Sequence, residues 1–223
     1  MINKEKTNGK LGEKIHQYLL EIGMETPISK NWLNRDSDFK LEEIEKSFKD
    51  IMTSLGLDLT DDSLQDSPKR VAKMYVKEIF SGLDYSNFPK CTTIINKMKY
   101  DEMVLVKDIK VSSSCEHHFV TIFGKAFVAY IPDKNVIGLS KINRIVEFFS
   151  RRPQVQERLT EQIYYTLAYI LGTPDIAVLI DGEHFCVKSR GVEDVNSSTV
   201  TSKLGGRFKS EPELRAEFMG LIK

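Results

Sequence analysis

Residues 119–132, "FVTIFGKAFVAYIP", are apolar on both faces of an extended chain until Pro132 and Asp133 turn it. Rich in valine, isoleucine and phenylalanine, the stretch predicts a strand, and "EMVLVKDIKVSSSC" just before it has the same character. Two helices follow. "SKINRIVEFFSRR" sets Ile142, Ile145, Val146 and Phe149 on one face, and "QERLTEQIYYTLAYILG" does the same with Leu159, Ile163, Leu167 and Ile170. Pro153 separates them, because proline disfavours helix at the residue before it. "DIAVLIDGEHFCV" and "SSTVTSK" return to strand, and "EPELRAEFMGLI" closes as a helix. Two strands, two helices and two strands make an α+β plan: an antiparallel sheet with helices packed on one face.

Ahead of this lies an N-terminal helical arm, residues 1–66, leaving 67–223 as the main domain. "LEEIEKSFKDIMTSLGL" places Leu41, Ile44, Phe48, Ile51, Met52 and Leu55 at helical spacing, so one stripe needs a partner surface, in this chain or another subunit. "GMETPISKNWLNRDSDF" reads as a linker. At residue 67 a new helix starts, with Ser67 suited to cap it and Pro68 to its first position; its apolar face runs through Val71, Met74, Tyr75 and Ile79 to about Gly82.

Bulk numbers bound the function. The 223 residues are 41% hydrophobic and 29% charged, an ordinary globular profile. Lysine plus arginine equals aspartate plus glutamate at 32 each, so no global field favours nucleic acid or a membrane surface, and any anion site must be local. The polar N-terminus has no signal-peptide core and no apolar run is long enough to span a bilayer, which predicts a cytoplasmic protein. In that reducing compartment three cysteines speak for metal binding or catalysis rather than a disulfide framework.

"SCEHHFV" concentrates a thiol, a carboxylate and two imidazoles in Cys115, Glu116, His117 and His118. Cys115 and His118 form a Cys-x-x-His pair at a strand end, a spacing that lets both reach one ion from a tight turn. Far along the chain, "GEHFCVKSRG" sets His184 and Cys186 two apart, on one face of the expected strand. Cys115, His118 and Cys186 are a two-thiolate, one-imidazole set suited to zinc, with a fourth position left for water. A closed structural site remains open as an alternative, with His117 or His184 as fourth ligand. If the site is catalytic, His117 and His184 are placed to pass protons, or else to support a ligand from behind. Cys91 and His16 stand apart from these motifs and read as a small buried residue and a solvated one.

Ser140, Lys141 and Arg144 open a helix with two cations on one side, a competent phosphate site. Arg190 brings another cation near Cys186, and Arg70 with Lys73 repeats the spacing of three. Each pair alone is as expected of a solvated helix face. No Gly-x-x-x-x-Gly-Lys-Ser/Thr loop occurs, so a polyphosphate would need separate side chains. Gln156 and Glu157 begin a helix, where the dipole alone favours the glutamate.

Three segments, "CEHHFVTIFGKAFVAYIP", "VIGLSKINRIVEFFSRRPQVQERLTEQI" and "HFCVKSRG", closely resemble the GTP cyclohydrolase I family, in the family's order. The resemblance runs from about Ser67 to the C-terminus, and no motif position departs from it. It implies the tunnelling fold, in which antiparallel sheets of several subunits join into a barrel, and a homodecamer with active sites between subunits. It also implies a zinc enzyme that converts GTP and water to 7,8-dihydroneopterin triphosphate and formate by attack of zinc-activated water at guanine C8. By matching motif, Cys115, His118 and Cys186 are the Zn2+ ligands and His117 and His184 transfer protons. Ser140 takes part in the ribose rearrangement and ring closure, and Glu157 with Gln156 reads the guanine edge. Lys141, Arg144 and Arg190 bind triphosphate, joined by Arg70 and Lys73 from a neighbouring subunit. A related tunnelling-fold nitrile reductase, with a cysteine nucleophile, a nicotinamide cofactor and no zinc, is disfavoured by the intact Cys-x-x-His and distal cysteine. A non-enzymatic zinc module is the other alternative.

Overall fold

A computed structural model describes residues 4–223. The N-terminal half is helical: α1 (Gly9–Glu21), the short α2 (Lys30–Leu33), α3 (Ser37–Ser54) and α4 (Ser67–Met74). A π-helical turn at Tyr75–Ile79 continues α4, so the helix expected to reach Gly82 changes pitch after Met74. Ser67 lies inside α4; Asp66 is the residue before it, and neither side chain caps the helix. The short strand β1 (Thr93–Ile95) precedes β2 (Val104–Cys115), β3 (Thr121–Tyr130) and β4 (Asn135–Ile137). Then come α5 (Leu139–Ser150), β5 (Pro153–Gln154), α6 (Gln156–Leu171), β6 (Ile176–His184), α7 (Phe185–Lys188), β7 (Thr199–Leu204), α8 (Gly206–Ser210) and α9 (Pro212–Leu221). No helix among the described residues is long and apolar enough to cross a membrane.

The main sheet has the order β5-β2-β3-β6-β7, antiparallel throughout except that β5 runs parallel to β2. A small sheet pairs β1 with β4. The apolar stretch that opened the sequence reading is β3, the central strand, and its two-sided character has a direct cause. On one face Ala126, Val128 and Tyr130 join α5 and α6 through Ile142, Ile145, Phe149, Leu159 and Ile163. On the other, Phe127 and Ala129 pack with Phe208 of α8 and Phe218 of α9. Helices therefore cover both faces, not one as expected, because the C-terminal α8–α9 hairpin folds back over the sheet.

The N-terminal segment divides in two. Ile15 and Leu19 of α1 have no exposure and sit in the main core with Phe88 and Phe149. Between α1 and α3, the stretch expected as a linker carries Glu25 and Thr26, which are buried against the sheet domain. By contrast α3 keeps Ile51 in solvent, with Leu55 just after it also exposed, buries Met52, and meets the next helical segment through the Phe48–Tyr75 ring contact.

Candidate active site

The β2–β3 hairpin places the first half of the site. β2 ends at Cys115, and the turn back to Thr121 is closed by Cys115 N–H donating to Val120 O at 2.8 Å and Phe119 N–H donating to Cys115 O at 2.8 Å. Phe119 takes the left-handed conformation at φ 53°, which sharpens the turn. Its ring lies 5.5 Å from that of Phe80 and 6.4 Å from that of Tyr75, tying the turn to the π-helical segment. Glu116 is held by Arg158 of α6, Nη1 to Oε2 at 2.6 Å. Sequence reasoning did not single out Arg158, because its partner lies 42 residues away.

The second half comes from β6. Its register with β3 sets His184 opposite Ile122, beside the hairpin turn. The strand stops there and Cys186 sits in α7, so His184 and Cys186 are not alternate residues of one strand, as expected. The helical turn swings Cys186 toward Cys115 instead. The donor atoms of Cys115, His118 and Cys186 all lie within 4.8 Å of one another. Cys115 Sγ is 3.9 Å from His118 Nδ1, close to the separation of about 3.6 Å that two such donors take around a tetrahedral zinc. Burial, then the neighbouring Cys115 sulfur, pushes the Cys186 thiol up, and Arg190 opposes this. Two sulfurs and an imidazole nitrogen gathered this closely fit a thiophilic divalent cation.

Around this cluster the remaining side chains divide. His117 is exposed, with Nδ1 3.7 Å from Cys115 Sγ. Arg190 Nη1 lies 3.1 Å from His118 Nε2. His184 is half-buried, and burial pulls its pKa below the usual histidine range while the Glu157 carboxylate pulls it partly back. Glu157 itself is exposed at the start of α6. Next to it Gln156 turns inward, 2% exposed. Its Nε2 donates to Ile180 O at 3.0 Å, Thr199 O at 2.8 Å and Thr201 Oγ1 at 3.1 Å. Two of these partners are carbonyls that can only accept, so Gln156 Oε1 is the atom facing His184 Nε2, at 2.8 Å. The imidazole must then carry its proton on Nε2, which leaves Nδ1 with a lone pair. Gly182 leaves room for this amide, since a Cβ there would push Gln156 Oε1 out of place.

Ser140, Lys141 and Arg144 do open a helix, α5, but within this chain they stand far from the cluster. α5 begins next to Ile137, whose N–H donates to Tyr130 Oη, and Tyr130 ends β3 at the pole opposite the Cys115 turn. The nine steps of strand between those ends span about 30 Å. Cys91 lies beside this pole, its thiol pushed up to about 12 by burial against the pull of Lys141 and Arg144. Arg70 is exposed and pairs loosely with Asp66 at 3.7 Å; Lys73 is exposed on the same helix. His16 is not a free surface residue: its Nδ1 is 2.7 Å from Glu25 Oε2.

Fold and site together define a class: an α+β protein whose sheet end gathers a Cys2His set fit for one divalent metal, flanked by a second histidine of fixed tautomer. The family model for GTP cyclohydrolase I matches residues 44–223. Over 201 residues the chain is 63% identical to GTP cyclohydrolase 1 of Aeromonas salmonicida, spanning 90% of this chain and 91% of that protein. With GTP cyclohydrolase 1 of Yersinia pseudotuberculosis it shares 58% over 214 residues, 96% of each chain. With that of Aeromonas hydrophila it shares 61% over 201 residues, 90% of this chain and 91% of the other. The chain belongs to the GTP cyclohydrolase I family, and the similarity extends well ahead of Ser67, where the recognisable motifs begin.

Proposed function

We propose that the chain is a zinc-dependent GTP cyclohydrolase, which hydrolyses GTP at guanine C8 to give 7,8-dihydroneopterin triphosphate and formate, the first step of tetrahydrofolate and pterin biosynthesis. The observation that carries this reading is the convergence of Cys115, His118 and Cys186 beside His184 in a chain of this family. Zinc held by those three residues supplies Lewis-acid activation of water. His184, with Nδ1 free, accepts a proton as the C8 centre is attacked, and exposed His117, next to Cys115, returns one. Glu157, exposed and one residue from the Gln156–His184 pair, accepts hydrogen bonds from the guanine edge. Gln156 acts through His184 rather than on the base, since its amide is fully engaged.

Arg190 binds the triphosphate, with Lys141, Arg144, Arg70 and Lys73, and Ser140 serves the later ring closure. α5 opens beside the Tyr130 end of β3 while the Cys115 turn lies at the other end of that strand, so we take Ser140, Lys141 and Arg144 to join the Cys115 site from a different subunit. A composite active site in a homo-oligomer, a decamer by family resemblance, follows, with subunit sheets joined into a barrel in the cytoplasm. The test is to incubate purified, zinc-loaded protein with GTP and measure formate together with the fluorescent pterin formed on oxidation. Equal molar yields of the two are expected, and no product with zinc bound overturns the proposal.

A further inference from the structure

The most buried charge among the described residues takes no part in the chemistry above. Arg152 has no exposed surface, and its ion-pair partner Glu25, from the segment after α1, is 3% exposed. Arg152 Nη1 donates to Glu25 Oε1 at 3.1 Å and lies 3.4 Å from Tyr85 Oη, while Nη2 donates to Gly82 O. The guanidinium also lies 4.8 to 5.2 Å from the ring centroids of Tyr85, Phe148 and Phe149. Glu25 is held in turn by Tyr85 Oη at 2.5 Å and by His16. As a source of stability such a pair is poor, because removing two charges from water offsets most of their attraction and an apolar pair of the same volume often does as well. What it does supply is direction.

Its position in the chain shows where that direction acts. The backbone of Arg152–Gln154 is the strip to which the metal turn is fastened. Arg152 O accepts from Ser113 Oγ at 3.3 Å, Gln154 O accepts from Glu116 N–H at 3.0 Å, and β5 pairs Gln154 with Cys115. A parallel strand of two residues has little hold of its own. Its place is set by its side chains, through Arg152 and through the Gln154 amide, which donates to Phe149 O at 3.0 Å and Gln162 Oε1 at 2.7 Å. Gln162 completes the circuit by donating to Met24 O at 2.9 Å, next to Glu25.

We propose that Glu25 and Arg152 are positioning residues for the metal turn: a buried ion pair between the N-terminal segment and β5 that sets where Cys115 and Glu116 stand. The inference rests on the metal reading of Cys115, His118 and Cys186. Outer groups that hold metal ligands in place typically contribute tenfold to a hundredfold in affinity.

Zinc affinity is measured by competition with a chromophoric chelator for parent, Glu25→Gln and Arg152→Lys, with Phe218→Ala as control. The control cuts an equally buried side chain on the opposite sheet face, away from the turn. Amide exchange of Glu116 is followed in the zinc-free proteins. Both pair variants are expected to weaken zinc binding about tenfold or more and to speed Glu116 exchange, whereas the control lowers the melting temperature with zinc affinity within about twofold of parent. If the folded pair variants keep parental affinity, or the control loses as much, the inference is overturned. Should Glu25→Gln not fold, Arg152→Lys, which retains the charge and loses only the fork, decides alone. Absence of zinc binding in the parent would instead overturn the metal reading itself.

Discussion

Replacing Gln156 by methionine keeps the length of the side chain and deletes all four of its hydrogen bonds. Two backbone carbonyls, Ile180 O and Thr199 O, then lose this donor; Thr199 is exposed and water can replace it, whereas the buried Ile180 O left unmet costs about 1–3 kcal/mol, partly offset by the apolar gain of the methionine. A net destabilisation of about 1–2 kcal/mol is expected, visible as a lower urea midpoint. The catalytic consequence is separate. His184 loses the acceptor that holds its Nε2 proton, so the imidazole is free to rotate and exchange tautomers. One lost orienting hydrogen bond of about 1.4 kcal/mol corresponds to about a tenfold fall in turnover, less than the 10²–10⁴ lost when a general acid or base is removed outright. Steady-state kinetics on GTP, with zinc content measured on the same sample, distinguish the two roles open to Gln156. As the orienter of His184 it lowers kcat and leaves KM nearly unchanged; as a reader of guanine it raises KM. A raised KM with parental kcat would refute the tautomer argument.

Other consequences follow from the same geometry. His184→Ala should retain a full equivalent of zinc while turnover falls by about 10²–10⁴, and loss of metal would show that His184 is a ligand. Cys115→Ser should lose both zinc and activity in metal analysis and assay; survival of both refutes the ligand set. Cys91, with its thiol pushed up to about 12 from an ordinary 9.0, should resist iodoacetamide at pH 8 in the folded protein and react on unfolding. Because its folded value is the higher one, the protonated thiol supports the fold below pH 9 and that support is lost as pH rises from 9 toward 12, which denaturant titrations in alkali will register. In the core, Leu159→Ala should cost about 2–5 kcal/mol, read from denaturant unfolding, since the side chain has no exposure and packs between α6 and the sheet.

The three residues able to hold a metal were legible because each lies in a short motif whose residue types are rare in this chain. Their partners were not: Glu116 and Arg158 are 42 residues apart, and Arg152 and Glu25 are 127 apart. Local periodicity carries no information about such pairs. His16 shows the same limit. It sits on a polar helix and reads as solvated, yet Glu25 folds back against it.

By itself the sequence determined the order of the long strands and helices (β2, β3, α5, α6, β6, β7 and α9), the two-sided burial of β3, and the residues able to ligate metal, because these depend on side-chain type and spacing along a few neighbouring residues. Tertiary structure alone decided that α8 and α9 cover the second sheet face and that α1 belongs to the core. It also decided that Cys186 reaches the site from a helical turn after β6, and that Gln156 faces His184 with its oxygen. Those outcomes rest on register, chain reversal and the obligation of every buried polar group to find a partner, and each is settled only when distant segments meet.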